Sequence, residues 1–536
     1  MRKSVYLLTG ILLLAVSWGC RSRHSKNKNV TRDTSITEET SYNDIFLDSA
    51  QLHHFVSTDT AFKQFEEQYI AFYKQRNYEY AWFDSSGLGE QANNFANLLG
   101  NAAAELQDSS IINPRFTQLY EHCKNDLSHK TSKADKLKAE LYFTGQFFMY
   151  AAKVYKGSDI DATELGWFIP RKKLDLSALL DSVIRTKKDA SQYVTLNDQY
   201  KKLEESLMQY SALEKAHDWS DTVAKAAKPY KKGMDLPVIA TIKQRLYWLG
   251  DMTEEDTTNL FDSTLFTAAR SFQRRMGLEP DGVIGSKMID ELNVAPARRI
   301  QQILINLERV RWMPPIEDSE YILVNIPEYR LHAYDSGAHA FDMNVIVGNQ
   351  ANSTVIFNGK LKYVVFAPYW NVPVSIVKKE VLPGIENDKN YLASHNMEIT
   401  SGKNAAIPEV RQKPGPWNSL GLVKFLFPNN YDIYLHDTPN HDLFDQSNRS
   451  LSHGCIRLSE PKKMAEFLLR GQPEWTSEKI DSFMHGDKEY WVTLNKQVPV
   501  YIGYFTAWVD RDGLLNFRKD IYGHDAKMAD KLFVKQ

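Results

Sequence analysis

The chain has 536 residues, 43% apolar and 12% aromatic, with a formal net charge of −2 at pH 7. This length predicts about three or four domains with ample material for buried cores. The balanced charge, with no basic block beyond the N-terminus, excludes a nucleic-acid footprint. The three cysteines, Cys20, Cys123 and Cys455, are too sparse for a disulfide framework.

The chain begins as an export signal. Arg2 and Lys3 precede a mostly apolar run from Val5 to Val16, too short for an ordinary membrane span. Ser17-Trp18-Gly19-Cys20 resembles the lipobox of bacterial lipoproteins, although Trp18 departs from the usual small residue. The resemblance implies a signal peptide over 1–20, cleavage before Cys20, lipidation of its thiol and a lipid-anchored place in the periplasmic cell envelope, on the outer or the inner membrane. Residues 21–51 are polar and predict a flexible tether.

Residues 52–232 predict a helical scaffold region, with Phe62, Phe65, Tyr69, Phe72 and Tyr73 at helical spacing as core. Cys123, after His122, reads as a structural or incidental thiol. Residues 233–294 predict three short helices. The first carries Ile239, Ile242 and Leu246, the second is capped by Asp262, and the third opens at Gly285-Ser286. Ser271-Phe272-Gln273, Gly277-Leu278 and Asp281-Gly282-Val283-Ile284-Gly285 resemble the peptidoglycan-binding domain 1 family, a three-helix module. A connecting helix follows within 295–318 and stops before Pro314-Pro315.

After residue 319 the pattern turns to strands, among them Tyr321–Val324, Met343–Val347 and Tyr431–His436. Residues 319–505 predict a β-rich catalytic domain, with weaker patterning at about 377–415 marking an inserted lid, and 506–536 a C-terminal extension. The expected fold class is therefore multi-domain α+β. A helix is expected after Ser459 as N-cap, with Pro461 in its first turn.

The chemistry gathers at Ser452-His453-Gly454-Cys455-Ile456-Arg457. A free thiol is only a few per cent thiolate at neutral pH and needs a base. His436, at the end of a predicted strand, is the candidate general base and acid, able to hold a thiolate–imidazolium pair. Gly454 admits close approach of a carbonyl, and the Gly454 and Cys455 N–H groups are candidate oxyanion donors. His453 is open between orienting the loop, assisting His436 and acting as the base itself. A zinc site of His436, His441, His453 and Cys455 lacks recognisable ligand spacing.

His436 followed by Ser-His-Gly-Cys resembles the L,D-transpeptidase catalytic domain. So do Trp370-Asn371-Val372-Pro373, Pro414-Gly415, Asn418-Ser419-Leu420-Gly421 and Tyr434-Leu435-His436-Asp437-Thr438-Pro439, which point to the large multi-domain branch of that family. Arg457 stands where the common pattern has Asn. The resemblance implies a Cys455 thioester on a peptidoglycan tetrapeptide stem, with D-alanine released and a second stem's amine resolving it. It implies no metal and no organic cofactor, and carbapenems as acylating agents. Water as resolver would give a carboxypeptidase, and the same thiol could attach proteins to the wall or release them; a non-catalytic envelope scaffold is a further alternative. Arg457 is a candidate for a stem carboxylate. Tyr434, Trp417, Asn371 and Ser452 are candidates for lining the donor site.

Overall fold

The computed structural model describes residues 45–533 apart from 85–86, 107, 125–130, 159, 172, 195–196, 226–227 and 403–406. Cys20 and the signal segment lie outside the described residues. Among those described, no helix is long and apolar enough to cross a membrane.

The predicted tether is shorter than 21–51. Helix α1 (Ser49–Thr58) is closed by a capping box in which Asp48 accepts from Ala50 N–H and Gln51 returns to Asp48 N–H. Leu47 is already buried, so the chain joins the fold before α1. The aromatic positions of the N-terminal region form a core of their own with α2 (Lys133–Ala151), where Tyr69, Phe72 and Phe148 meet edge to face. Buried Glu140 on α2 accepts from the Tyr73 hydroxyl and from the N–H groups of Ala81 and Trp82. Ala162 and Leu165 leave that core, and Leu176, Leu179, Leu180, Val183, Ala190 and Val194 rejoin it. Trp167, Ile169 and α3 (Asp198–Ala216) pack with the second half of the chain.

The three predicted short helices are α4 (Pro237–Trp248), α5 (Ser263–Arg275) and α6 (Ser286–Leu292). Asp262 caps α5 by accepting from Leu265 N–H at 2.8 Å, and Leu265, Ala269 and Phe272 are buried on one face. The connecting helix α7 (Pro296–Trp312) starts on a proline at its first position and lies against α3.

The catalytic part is a nine-stranded sheet. Its strands are β1 (Tyr321–Asn325), β2 (Arg330–Asp335), β3 (Ala338–Gly348), β4 (Phe357–Phe366), β5 (Val423–Leu426), β6 (Leu435–His436), β7 (Ser450–Ser452), β8 (Ile456–Leu458) and β9 (Tyr490–Gly503). The order is β7-β3-β8-β6-β5-β4-β9-β1-β2, and β2 also pairs with β3, which closes the sheet on itself and leaves β7 as a spur. Leu435, Ile456 and Leu458 point into its apolar interior.

Two local expectations fail. Only Leu435 and His436 of the predicted 431–436 strand are extended in the sheet. Asn429 takes the chain before them into a loop, its amide donating to the Phe427 and Ile433 carbonyls and accepting from Tyr431 and Ile433 N–H, with Asp432 at φ 55°. Ser459 does not cap the next helix. Its N–H donates to the Asn344 carbonyl at 3.1 Å as a continuation of the sheet, so the helix Pro461–Leu469 is preceded by Glu460 instead.

Between β4 and β5 the chain makes a subdomain with its own sheet, Trp370–Asn371, Met397–Ser401 and Glu409–Gln412, over a small core of Val372, Val377, Val381 and Val410. It begins at Trp370, earlier than the predicted 377, because Trp370-Asn371 pairs with Arg411-Gln412.

Candidate active site

Strands β6 and β8 run parallel with Leu435 opposite Ile456 and His436 opposite Arg457. Side chains alternate along a strand. With the interior face taken by Leu435, Ile456 and Leu458, the residues Tyr434, His436, Cys455 and Arg457 share the other face. Tyr434 lies beside Cys455, where its carbonyl accepts from Ile456 N–H at 3.2 Å, and its ring centre is 5.6 Å from that of His436. The imidazole therefore sits diagonally across from the thiol.

The turn before Cys455 is held from within. Ser452 Oγ donates to the Cys455 carbonyl at 2.6 Å and accepts from Gly454 N–H at 3.1 Å. Gly454 has φ 118°, a conformation other residues rarely adopt. Its carbonyl accepts from Thr354 Oγ1 at 2.8 Å, and Thr354 Oγ1 in turn accepts from Gly348 N–H. Tyr522 of the C-terminal extension donates its hydroxyl to the Gly348 carbonyl. Ser452, buried at 2% exposure, is thus a brace of the nucleophile turn and not a wall of the donor site. Gly454 N–H is also already engaged, which leaves Cys455 N–H as the turn's candidate oxyanion donor.

The thiol donates to the Asp432 carbonyl at 3.5 Å. Burial pushes the Cys455 thiol up, against the pull of hydrogen bonding from Tyr434. His436 is 4% exposed, and its Nδ1 has no hydrogen-bond partner among the described residues. Burial lowers its pKa to about 3, with the Arg457 guanidinium acting in the same direction and backbone hydrogen bonds at Asp437 and Leu420 opposing. At neutral pH the resting pair is therefore a thiol and a neutral imidazole, in place of the expected thiolate–imidazolium pair. Arg457 is itself lowered by burial and its Nε has no partner, so its guanidinium is available on the same face.

His453 is exposed, whereas His436 is buried. Trp417 is 47% exposed and lies over Gly415, whose φ of 142° keeps the space clear; a Cβ there would strike the indole. Asn371 is exposed on the subdomain's short strand opposite Arg411. Trp417 and Asn371 are thus exposed residues on or beside the insert. His441 reaches Asp437 Oδ1 at 3.1 Å. Among the described residues, the cluster with metal-ligand proximity is His332, His339 and Asp342. Its atoms are already matched, with both imidazoles on Asp342 Oδ1, His332 Nε2 on Glu328 and Arg511 on Asp342 Oδ2.

Several supports were not singled out individually. Asn418, fully buried, donates to the carbonyls of Pro368 and Lys413 and so ties the two roots of the insert together. Asp437 accepts from Leu422 and Thr438 N–H, and a Cβ at Gly421 (φ 63°) would run into its carboxyl group. The Asn-to-Gly turn at 418–421 is a usable signal for the first pair. Nothing local to Thr354 or Asp432 marks either.

A cysteine in a glycine turn just before β8 and a buried histidine on the adjacent parallel strand β6 are the elements a thiol acyl-transfer site needs. Residues 319–480 match the family model of the L,D-transpeptidase catalytic domain, residues 67–207 that of the Scaffold domain, and residues 237–292 that described as "Putative peptidoglycan binding domain". The chain thus carries a helical N-terminal region, a helical module similar to peptidoglycan-binding domains and a β-rich domain that matches the L,D-transpeptidase catalytic domain. It is 32% identical over 243 residues to a "Putative L,D-transpeptidase" of Haemophilus influenzae, a match covering 42% of this chain and 49% of that protein. The chain therefore spans about half the length of the curated relative it matches. Among solved structures, an L,D-transpeptidase from Stackebrandtia nassauensis is 13% identical, covering 53% of this chain and 98% of its own, with a TM-score of 0.21. One from Xylanimonas cellulosilytica is 15% identical, covering 52% and 100%, with a TM-score of 0.17. These low scores add nothing to the geometry above.

Proposed function

We propose that this protein cross-links peptidoglycan by L,D-transpeptidation with Cys455 as nucleophile. The observation that carries the reading is the shared sheet face of Tyr434, His436, Cys455 and Arg457. In the donor half-reaction the thiol turns from the Asp432 carbonyl and gives its proton to neutral His436. Sulfur attacks the carbonyl of the meso-diaminopimelate (or comparable L-centre) residue of a tetrapeptide stem, and Cys455 N–H stabilises the oxyanion. The imidazolium then protonates the departing D-alanine amine, leaving a thioester. In the acceptor half-reaction the side-chain amine of a second stem attacks, His436 takes its proton, and the thiolate leaves and is reprotonated. Arg457 pairs with a stem carboxylate, a role its unpartnered Nε supports.

The upstream module holds the enzyme on its polymer, and a lipid on Cys20 anchors it in the envelope. Carbapenems are expected to acylate Cys455. The deciding experiment incubates the protein with disaccharide-tetrapeptide muropeptides and follows products by mass spectrometry. Dimers formed with loss of D-alanine are expected, and none with Cys455→Ala. Loss of D-alanine without dimers would reassign the enzyme as a carboxypeptidase. Folded protein that releases no D-alanine would overturn both readings.

A further inference from the structure

The N-terminal helical region reaches the catalytic sheet at Trp167 and Phe168. Trp167 bridges to Ile356 in parallel fashion, and Phe168 N–H donates to the Ile356 carbonyl at 2.8 Å. Trp167 is 2% exposed, with its ring centre 5.7 Å from Trp312 and 6.0 Å from Phe505, so this attachment is rigid. Phe168 is 39% exposed and has its ring centre 5.3 Å from that of Tyr431. Tyr431 in turn lies 4.8 Å from Phe357, the residue after Ile356.

Two of the supports of Cys455 run through this junction. Thr354, two residues before Ile356, holds the Gly454 carbonyl. Tyr431 directly precedes Asp432, whose carbonyl receives the Cys455 thiol. Asp432 is in the left-handed region, so its carbonyl direction depends on how the 429–433 loop is held. Asn429 fixes that loop from inside, while the Tyr431 ring is gripped between Phe168 and Phe357 from outside.

We propose that Phe168 is a positioning residue for Cys455: by clamping Tyr431 it fixes the Asp432 carbonyl and hence the resting orientation of the thiol. The helical region is on this reading part of the active site's construction, beyond any spacing role. The inference rests on Cys455 being the nucleophile. A carbonyl that accepts from the thiol favours its neutral form. Releasing the clamp therefore makes the thiol easier to ionise while loosening its aim at the substrate carbonyl.

The test uses Phe168→Ala in the full chain, with Phe168→Tyr as the conservative partner. Carboxamidomethylation of Cys455 by iodoacetamide is followed by peptide mass spectrometry across pH, which separates it from Cys123. Phe168→Ala is expected to lower the alkylation midpoint by about half a pH unit or more. It is also expected to cut kcat about tenfold, through lost orientation, with KM little changed. Phe168→Tyr and the wild type should coincide, and Tyr431→Ala should shift the midpoint in the same direction as Phe168→Ala. A wild-type alkylation midpoint in Phe168→Ala overturns the proposal whatever happens to turnover. Alkylation needs no peptidoglycan, so this result stands apart from the outcome of the muropeptide experiment.

Discussion

At Cys455 and His436 the fold withholds charge. His436 is buried and Cys455 partly buried beside a short parallel strand pair, and desolvation opposes the charged form of each. The signs then fix the pH behaviour. An imidazole lowered to about 3 is already neutral throughout the range above it, so its protonation sets no acidic limb near pH 6. A thiol raised above its ordinary value ionises only in alkali. The alkylation rate of Cys455 is therefore expected to climb in one step centred above the range of an exposed thiol. His436→Asn should lower kcat about 10²–10⁴-fold, the usual contribution of a positioned base, while leaving that alkylation step in place. An alkylation curve with a plateau beginning below pH 6 would show an ion pair and refute the neutral resting state. The candidate nucleophile and base were legible because a thiol in a Ser-His-Gly-Cys turn and a histidine ending an apolar strand are chemically conspicuous. Ser452 was read as a substrate contact because its hydroxyl gives no hint in sequence that it turns back onto its own loop.

Among the elements, the subdomain between β4 and β5 combines separation and attachment. Its core is separate, and its roots meet at Asn418, one turn from Leu420, whose backbone hydrogen-bonds His436. We propose that it is a lid over the donor site with Trp417 and Asn371 on its rim. Val381 is 1% exposed in that core, so Val381→Asp buries a charge with no partner, at a cost of about 3 kcal/mol or more. The expected outcome is loss of hydrogen-exchange protection over the subdomain strands with protection of β4 and β9 retained. KM for the donor stem should rise and the iodoacetamide profile of Cys455 stay unchanged. An unchanged KM in a protein with a melted subdomain would remove the lid from the mechanism. This element was visible in the sequence only as weak patterning. Its strands are only two to five residues long, so no run was long enough to show a period. The three helices of the peptidoglycan-binding module were visible in detail, since each has a local start signal (Pro237, the Asp262 cap, Gly285-Ser286) close to its apolar face.

Across the whole molecule, the C-terminal segment is what joins the parts. Thr506 bonds Asn306 on α7, Arg309 pairs with Asp525, Arg518 donates to the Arg275 carbonyl of α5, and Tyr522 supports Gly348 beside the nucleophile turn. None of this could be read from sequence, because each contact joins residues at least 174 apart and the segment has no motif. The same segment supplies Arg511 to the cluster on β2 and β3, beside a cavity of about 630 Å³. There His332 faces Glu328 and Asp342, while Asp342 also faces His339, Arg330 and Arg511. His332 is pushed up to about 9: burial opposes the charge, but the Glu328 and Asp342 carboxylates outweigh it. A histidine raised in the folded state contributes stability that is complete below its unfolded pKa of about 6.5 and is lost as pH rises through about 9. Glu328 and Asp342 are lowered despite burial, so their contribution is complete above the ordinary carboxylate range and is lost on acidification. The cluster is thus most stabilising between about pH 5 and 6.5, by an amount on the order of 1–3 kcal/mol for His332. Wild-type Tm measured by calorimetry should fall between pH 6.5 and 9. In His332→Gln it should start lower and run flatter over the same interval. Parallel curves for the two proteins would mean that His332 does not carry its charge in the native state.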